Sequence, residues 1–180
     1  CGILEEVCLS FLGVDLGTSF LKGAVLDTRN WNISHVCRVP FPEPIRGLNP
    51  IYCEFDPEQI LAAARKLIGE LSALAGECEG LVLCTQMSSM VLMDRDGHAI
   101  SNCFGWRDQR ALEPHPSGAG SYYDVLRQRI TPQQRSELGN ELPVGAPIGF
   151  LFWLREQGRL APGVIPVSVA DFVLSALCHA

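Results

Sequence analysis

Long apolar runs, basic clusters and paired cysteine motifs are absent from this sequence of 180 residues. No apolar stretch reaches the roughly 20 residues that a membrane-spanning helix needs. No cluster of Lys and Arg offers a surface for nucleic acid or an anionic membrane, and the formal net charge is -6. The first residues include Glu5 and Glu6, where a secretion signal requires basic residues. We therefore expect a cytoplasmic protein that binds neither nucleic acid nor a membrane.

The eight cysteines show no C-x-x-C spacing, and the four histidines are scattered. These spacings predict neither disulfides nor a zinc site. Cys8, Cys84 and Cys178 lie within apolar runs, which predicts buried free thiols in a reducing compartment. The glycine-rich signatures G-x-G-x-x-G and G-x-x-x-x-G-K-[ST] are also missing, which argues against a plain dinucleotide-binding fold or a P-loop fold.

What is present is the composition of a globular chain, with 47% apolar and 19% charged residues. Residues 8–41 predict three strands with a turn at residues 17–19, because two apolar runs flank a short polar segment. A helix is predicted to begin after Asp56 and to end at Gly76. A buried strand over 80–87 follows. The order β-β-β-α-β predicts an α/β domain with a mixed sheet.

The second half of the sequence combines a hairpin, loops and helices. Asp96 and Gly97 predict the turn of the hairpin. Segments rich in proline and glycine predict surface loops, and proline or hydroxyl residues predict the starts of three helices. The loops cover residues 42–55 and 113–120, the helices begin at Thr131, Pro147 and Ser168, and the first of them ends at Gly139 and Asn140.

The segment "DLGTS", residues 15–19, joins the first two predicted strands. Asp15 closes a mostly apolar strand, where a carboxylate needs a cation, a lysine or backbone amides as partners. Gly17 permits close approach to the backbone, and Thr18 and Ser19 add hydroxyl donors beside free amides. Such a turn would suit a phosphate with Mg²⁺. An ordinary tight hairpin is the simpler interpretation, and the residues alone favour it.

The stretch "GVDLGTSFLKGAVLD" resembles the first phosphate motif, D-x-G-T-[ST]-x-x-K, of the FGGY carbohydrate kinases, which share an ATPase superfamily with actin and Hsp70. "LCTQMSSMVLMDRDG", residues 83–97, resembles that family's G-Q-M-H-G-x-V-L-L-D segment, and "CFGWRDQRA", residues 103–111, resembles its W-x-D-x-R segment. Later stretches follow the family's order, so the resemblance covers nearly the whole chain. It implies a ribonuclease H-like or actin-like ATPase fold, of which this chain would be the N-terminal portion.

The resemblance also assigns roles around the first turn. Asp15 would hold Mg²⁺, mostly through water, and Gly17, Thr18 and Ser19 would face the transferring phosphate of ATP. Lys22 would add a positive charge near that phosphate, although a strand lysine is more often simply a solvated charge.

A sugar pocket is implied where the later strand ends. Five residues would line it, with the tryptophan stacked on an apolar sugar face: Gln86, Met87, Ser88, Trp106 and Asp108. The structural alternatives are a strand end followed by a turn, and a buried tryptophan beside a surface ion pair between Asp108 and Arg110. Ser88 stands where the xylulose-kinase-like group has a histidine, so specificity for xylulose does not carry over.

The implied activity is the ATP-dependent phosphorylation of a sugar or polyol hydroxyl, with Mg²⁺. No residue of this sequence matches the family's catalytic aspartate, and no segment matches its second, adenosine-binding domain. We therefore expect residues 1–180 to be an incomplete sugar-binding domain, inactive alone, whose catalytic base lies beyond Ala180. An incomplete domain would expose apolar surface that a further segment normally covers, and such a surface can drive association, so homo-oligomerisation stays open. Two alternatives stay open: a non-catalytic sugar-binding or regulatory relative, and an actin- or Hsp70-like ATPase that acts on no sugar.

Overall fold

The computed structural model describes residues 10–139 and 141–178. The chain divides into two compact units, Cys1–Pro42 with Glu58–Gln86 and Glu43–Pro57 with Met87–Ala180. Within the described residues, no helix combines the length and the apolar character needed to cross a membrane. The elements in chain order are β1 (Ser10–Leu16), β2 (Phe20–Asp27), β3 (Asn32–Pro40), β4 (Glu54–Phe55), α1 (Pro57–Ala75), β5 (Gly80–Thr85), β6 (Met90–Met93), β7 (Cys103–Phe104), α2 (Tyr122–Arg129), α3 (Pro132–Glu137), α4 (Pro147–Glu156), β8 (Ile165–Ser168) and α5 (Val169–Cys178).

The first unit is a four-stranded sheet in the order β3-β2-β1-β5. β1 is antiparallel to β2 and parallel to β5, so the predicted mixed sheet is confirmed. Residues 8 and 9 of the first predicted strand lie outside the described residues, and its remainder coincides with β1. The predicted helix coincides with α1, which ends before Gly76 in the left-handed conformation.

One face of this sheet packs against α1, and the other is open. Leu12, Val14 and Leu16 alternate inward along β1, and they are buried together with Leu71 of α1. A Cβ atom at Gly23 of β2 would meet the Leu71 side chain, so the helix lies directly on this strand. The opposite face exposes large apolar side chains, namely Ile33, Val36 and Val82.

The second unit contains an antiparallel sheet in the order β4-β7-β6-β8, which the sequence did not predict. β4 and β7 have two residues each, too few to show an alternating pattern. The core of the unit is aromatic and aliphatic, and fully buried Phe150 and Trp153 of α4 lie at its centre. The Asp96-Gly97 turn is confirmed, although its return arm forms only an isolated bridge between Met93 and Ala99.

The three predicted helices are α3, α4 and α5, and the Ser168–Asp171 capping box of α5 is formed. Asn140, predicted to end a helix with Gly139, lies outside the described residues. Helix α2 was missed, although Ser121 and Asp124 form a capping box at its start. The predicted loop 113–120 is confirmed as a loop that includes an isolated bridge, Pro114 with Ser121.

The cysteine predictions are half right. The six described cysteines are free thiols, and Cys103 is buried. The burial predicted for Cys84 and Cys178 is wrong, because both are exposed. Cys84 is opposite Asp15 in the register of β5 with β1, and therefore lies on the sheet face that α1 does not cover. Cys8 lies outside the described residues.

Candidate functional site

The turn between β1 and β2, residues 17–19, keeps its polar groups available. Asp15 is half-buried, and its Oδ1 accepts a hydrogen bond from the Cys84 thiol at 3.5 Å. A Cβ atom at Gly17 would lie 2.9 Å from the carbonyl oxygen of Phe20 and 3.5 Å from Oδ2 of Asp15. Only glycine therefore fits this turn without a shift of the backbone. The Thr18 and Ser19 side chains are exposed.

Lys22 is the cross-strand neighbour of Asp15 in the antiparallel pair β1–β2. Its side chain is exposed, and within residues 10–139 and 141–178 no ion pair joins the two. A shallow cleft of about 330 Å³ on the open sheet face is lined by both residues and by Cys84. One carboxylate and one ammonium group are thus both free to meet a ligand.

Asp15 fits a particular kind of metal site. Within the described part of the chain, no group of three or more His, Cys, Asp or Glu side chains is arranged to hold a metal ion. Mg²⁺, by contrast, commonly binds through one or two carboxylates and completes its shell with phosphate oxygens and water. A lone carboxylate beside a turn that a Cβ atom would fill suits a magnesium ion delivered with a phosphate, and does not suit a protein-only cage.

Gln86 immediately follows β5. Its backbone N–H donates to the carbonyl oxygen of Leu16 at 3.1 Å, which continues the parallel pairing of β1 with β5. Its side-chain Nε2 is buried and has no hydrogen-bond partner among the described residues. Buried amide donors are almost always paired, so this nitrogen is a natural donor to a ligand. Asp15 and Gln86 therefore lie at the carboxyl ends of adjacent parallel strands, where α/β sheets bind ligands.

The residues after Gln86 belong to the second unit. Met87 is 82% exposed, and Ser88 has a φ of +66°, a conformation uncommon for a residue other than glycine and often found at ligand sites. The Oγ atom of Ser89 is buried and without a partner among the described residues. Of the predicted pocket residues, Met87 therefore exposes its thioether, and Ser88 carries its hydroxyl on a left-handed backbone.

Trp106 and Asp108 have opposite environments. Trp106 is 47% exposed, whereas Asp108 is 0% exposed. Both Asp108 oxygens accept hydrogen bonds from Arg110, from Nε at 2.8 Å and from Nη2 at 2.7 Å. They also accept from the backbone N–H groups of Cys53 at 2.7 Å and Arg110 at 2.9 Å. Direct contact between Asp108 and a sugar would require these hydrogen bonds to break. The role of Asp108 as a sugar ligand therefore stays a prediction, and the burial of its side chain argues against it.

The alternative of a buried tryptophan beside a surface ion pair is wrong in both halves. The tryptophan is half-exposed, and Arg110 is only 2% exposed. Glu54, which sequence analysis did not single out, also accepts a hydrogen bond from Nη2 of Arg110. Burial alone would lower the pKa of Arg110, but its bonds to Asp108 and Glu54 outweigh that effect and hold the pKa above its ordinary value.

The predicted site residues therefore form two groups. Five lie at the tip of the β1–β2 hairpin or near it, and Gln86 joins them at the neighbouring strand end; all six belong to the first unit. The other four belong to the second unit. The first group contains Asp15, Gly17, Thr18, Ser19, Lys22 and Gln86, and the second contains Met87, Ser88, Trp106 and Asp108.

Comparison with known proteins identifies a family. The N-terminal domain of the FGGY family of carbohydrate kinases matches residues 10–160. A xylulose kinase from Klebsiella pneumoniae is 26% identical over 151 residues, which are 82% of this chain and 28% of that protein. This chain therefore spans less than a third of that curated relative.

Solved structures share the fold. A xylulose kinase from Brucella ovis superposes with a TM-score of 0.75 at 24% identity over 92% of this chain and 33% of the other. A gluconate kinase from Lactobacillus acidophilus gives a TM-score of 0.72 at 18% identity, over 93% and 32% respectively. At these identities the likeness is one of fold, and it confirms the predicted actin-like ATPase architecture.

Proposed function

Because the chain belongs to the FGGY family of carbohydrate kinases through its N-terminal domain, we propose that it is the sugar-binding part of an enzyme that phosphorylates a sugar or polyol with ATP. The observation that carries this proposal is the pairing of two strand ends. Asp15 and the glycine turn lie at the end of β1, and the unpartnered amide of Gln86 lies at the end of the adjacent parallel strand. Under this proposal, a phosphate-binding turn and a donor to a sugar hydroxyl would be neighbours.

Phosphoryl transfer requires that charge on the transferring group be offset and that the acceptor hydroxyl be held in line. The N–H groups and hydroxyls of Thr18 and Ser19 would bind phosphate oxygens, and Lys22 would add a positive charge. Mg²⁺, when bound with ATP, would supply further neutralisation of that charge, and Asp15 would hold it.

For the sugar, we propose that in the first unit the Nε2 of Gln86 donates to a hydroxyl oxygen. In the second unit, Trp106 would cover an apolar face of a sugar ring, and Met87 and Ser88 would add further contacts. The base that accepts the proton of the reacting hydroxyl is not assigned to any of these residues. We accordingly expect residues 1–180 on their own to bind sugar without turning over ATP.

The cellular location proposed is the cytoplasm. Six described cysteines are free thiols, five of them at least partly accessible, at positions 37, 53, 78, 84 and 178. Accessible unpaired thiols are typical of proteins in a reducing compartment.

The test is sugar-dependent ADP release by the whole protein, measured with D-xylulose, L-xylulose and D-gluconate. Asp15→Asn should lower kcat by about 100-fold or more, because an amide holds Mg²⁺ poorly. The matched control is Asp27→Asn at the other end of β2, whose carboxylate accepts bonds from the Arg29 backbone and the Asn30 side chain within its own exposed turn. Turnover by Asp15→Asn equal to that of the control would contradict the proposed role. Turnover with none of the sugars would contradict the proposed substrate class.

A further inference from the structure

Arg110 is the centre of a buried ionic cluster in the second unit. Its guanidinium makes two bonds to Asp108, one from Nε at 2.8 Å and one from Nη2 at 2.7 Å, and Nη2 also donates to Glu54. The Cζ atom lies 4.3 Å from the ring centroids of both Tyr52 and Phe104. Bidentate geometry and two aromatic faces together fix this side chain in position and orientation.

The cluster is joined to the turn that carries Trp106. The Asp108 carboxylate accepts from the backbone N–H of Cys53 at 2.7 Å, and the N–H of Asp108 donates to the carbonyl oxygen of Gly105 at 2.9 Å. The N–H of Gly105 in turn donates to the carbonyl oxygen of Cys53 at 2.8 Å. The backbone of residues 105–108 is therefore tied to residue 53 at two points, one of them through the Asp108 side chain.

The other side of the same turn is held by backbone packing. A Cβ atom at Gly145 would collide with the carbonyl oxygen of Trp106, so the segment at residue 145 lies in direct contact with the Trp106 backbone. Trp106 is thus fixed at its backbone on both sides, while its side chain remains 47% exposed.

We propose that Asp108 and Arg110 are positioning residues, which hold the Trp106 ring in place to meet a sugar and do not touch the sugar themselves. The sugar part of this proposal rests on the proposed function. An exposed ring on a loose turn would lose conformational freedom on binding, and a preorganised ring avoids that loss. A buried ion pair is weak evidence for stability because desolvation offsets much of the attraction. A role in fixing the turn explains why such a cluster is bonded to the turn that carries an exposed aromatic side chain.

The proposal can be tested without enzyme activity through the tryptophan signals. The chain has three tryptophans, so incorporation of 5-fluorotryptophan gives three ¹⁹F resonances, of which Trp106→Phe identifies one. Asp108→Asn should broaden or shift the Trp106 resonance, because the amide cannot accept all the bonds that the carboxylate accepts. The matched control is Glu113→Gln, a carboxylate of the same unit that accepts from Tyr52 at 2.7 Å and from Nε1 of Trp153 at 2.8 Å. It should shift the Trp153 resonance and leave that of Trp106 unchanged.

A second variant covers the case in which Asp108→Asn does not fold. Gly145→Ala pushes on the Trp106 carbonyl oxygen without changing any charge, and it should also move the Trp106 resonance. A Trp106 resonance that stays sharp and unshifted in the folded variants would overturn the proposal.

The kinetic arm uses the whole protein with D-xylulose as the probe. Asp108→Asn should raise the KM for the sugar about tenfold and leave the KM for ATP within twofold, and Glu113→Gln should change neither. A broadened Trp106 resonance with an unchanged sugar KM would overturn the link to sugar binding and leave the turn-fixing role standing. If D-xylulose supports no turnover by the wild-type protein, the failure lies with the proposed substrate, and the ¹⁹F comparison alone then decides whether Asp108 positions Trp106.

Discussion

The hairpin tip at residues 15–19 and the turn at residues 105–108 each carry an aspartate close to the end of a strand, yet the two carboxylates have opposite environments. Asp15 is half-buried, has no cationic partner in the described chain and has exposed hydroxyls next to it. Asp108 is completely buried and accepts four hydrogen bonds. The first carboxylate has capacity left for a ligand, and the second has none.

The difference shows what decides whether a polar residue binds or supports. Both turns were predicted to belong to the candidate site from residue type and motif, which describe what a side chain can do. Whether it is free to do so depends on partners elsewhere in the chain. An unsatisfied polar group at a strand end is available for chemistry, and a saturated one fixes the backbone around it.

The largest effect on the free energy of unfolding is expected for Arg110→Met. The variant leaves the carboxylates of Asp108 and Glu54 buried without their common cation, and loss of one partner of a buried ion pair costs about 3–5 kcal/mol. Urea unfolding measures the change. The control is Arg155→Met, whose guanidinium is 64% exposed in a surface pair with Glu156 at 3.5 Å, and whose loss should change stability little. Equal losses of unfolding free energy in the two variants would show that the buried ion pairs of Arg110 contribute no more to stability than an exposed pair.

Whether a feature depends on local residues or on distant partners also explains how much of the fold and the candidate site the sequence predicted. The hairpin, α1 and the starts of α3, α4 and α5 have local signals, such as a glycine turn or a capping box, and they lie where predicted, whereas α2 was missed in spite of its capping box. The second sheet has no local signal, since β4 and β7 pair across about 50 residues with only two residues each. Glu54 lies 56 residues from Arg110, so no spacing rule connects them. Motifs were enough to propose the residues of the candidate site, whereas the partners that support Asp108 and Arg110 could not be predicted.

A smaller effect is expected at the hairpin tip itself. Gly17→Ala places a Cβ atom 2.9 Å from the carbonyl oxygen of Phe20, and a forced backbone shift of this kind costs about 1–3 kcal/mol. The control is Gly13→Ala in β1, where no atom lies within 4 Å of the new Cβ, and stability should be unchanged or slightly higher. Thermal unfolding of the two variants gives the comparison. Similar midpoints would mean that the turn at Gly17 accommodates a side chain.

Glu156 is an intermediate case, an exposed carboxylate that nonetheless has partners. Its bond from Arg129, at 2.9 Å, is the main reason that its pKa lies below the ordinary value of 4.5, and His115 at 3.3 Å adds to the effect. A lowered pKa in the folded state contributes stability above the ordinary value, and this stability is lost as the pH falls through the folded pKa. Glu156→Gln should therefore unfold earlier than wild type at about pH 7, and the difference between the two unfolding midpoints should shrink as the pH falls below 4.5. A midpoint difference independent of pH would contradict the pairing.

The smallest effect on stability is expected where the site is most open. The side chains of Thr18 and Ser19 are exposed and make no hydrogen bond within the described residues, so the double variant Thr18→Ala, Ser19→Ala should unfold within about 0.5 kcal/mol of wild type. Ser121→Ala is the matched control, because that hydroxyl caps α2 and its loss should cost about 1 kcal/mol. In the whole protein the same double variant should raise the KM for ATP severalfold, since the hydroxyls then no longer meet the phosphate. A loss of stability as large as that of the control would mean that these hydroxyls support the hairpin. The first turn would then resemble the second, and the contrast between a binding carboxylate and a supporting one would rest on Asp15 alone.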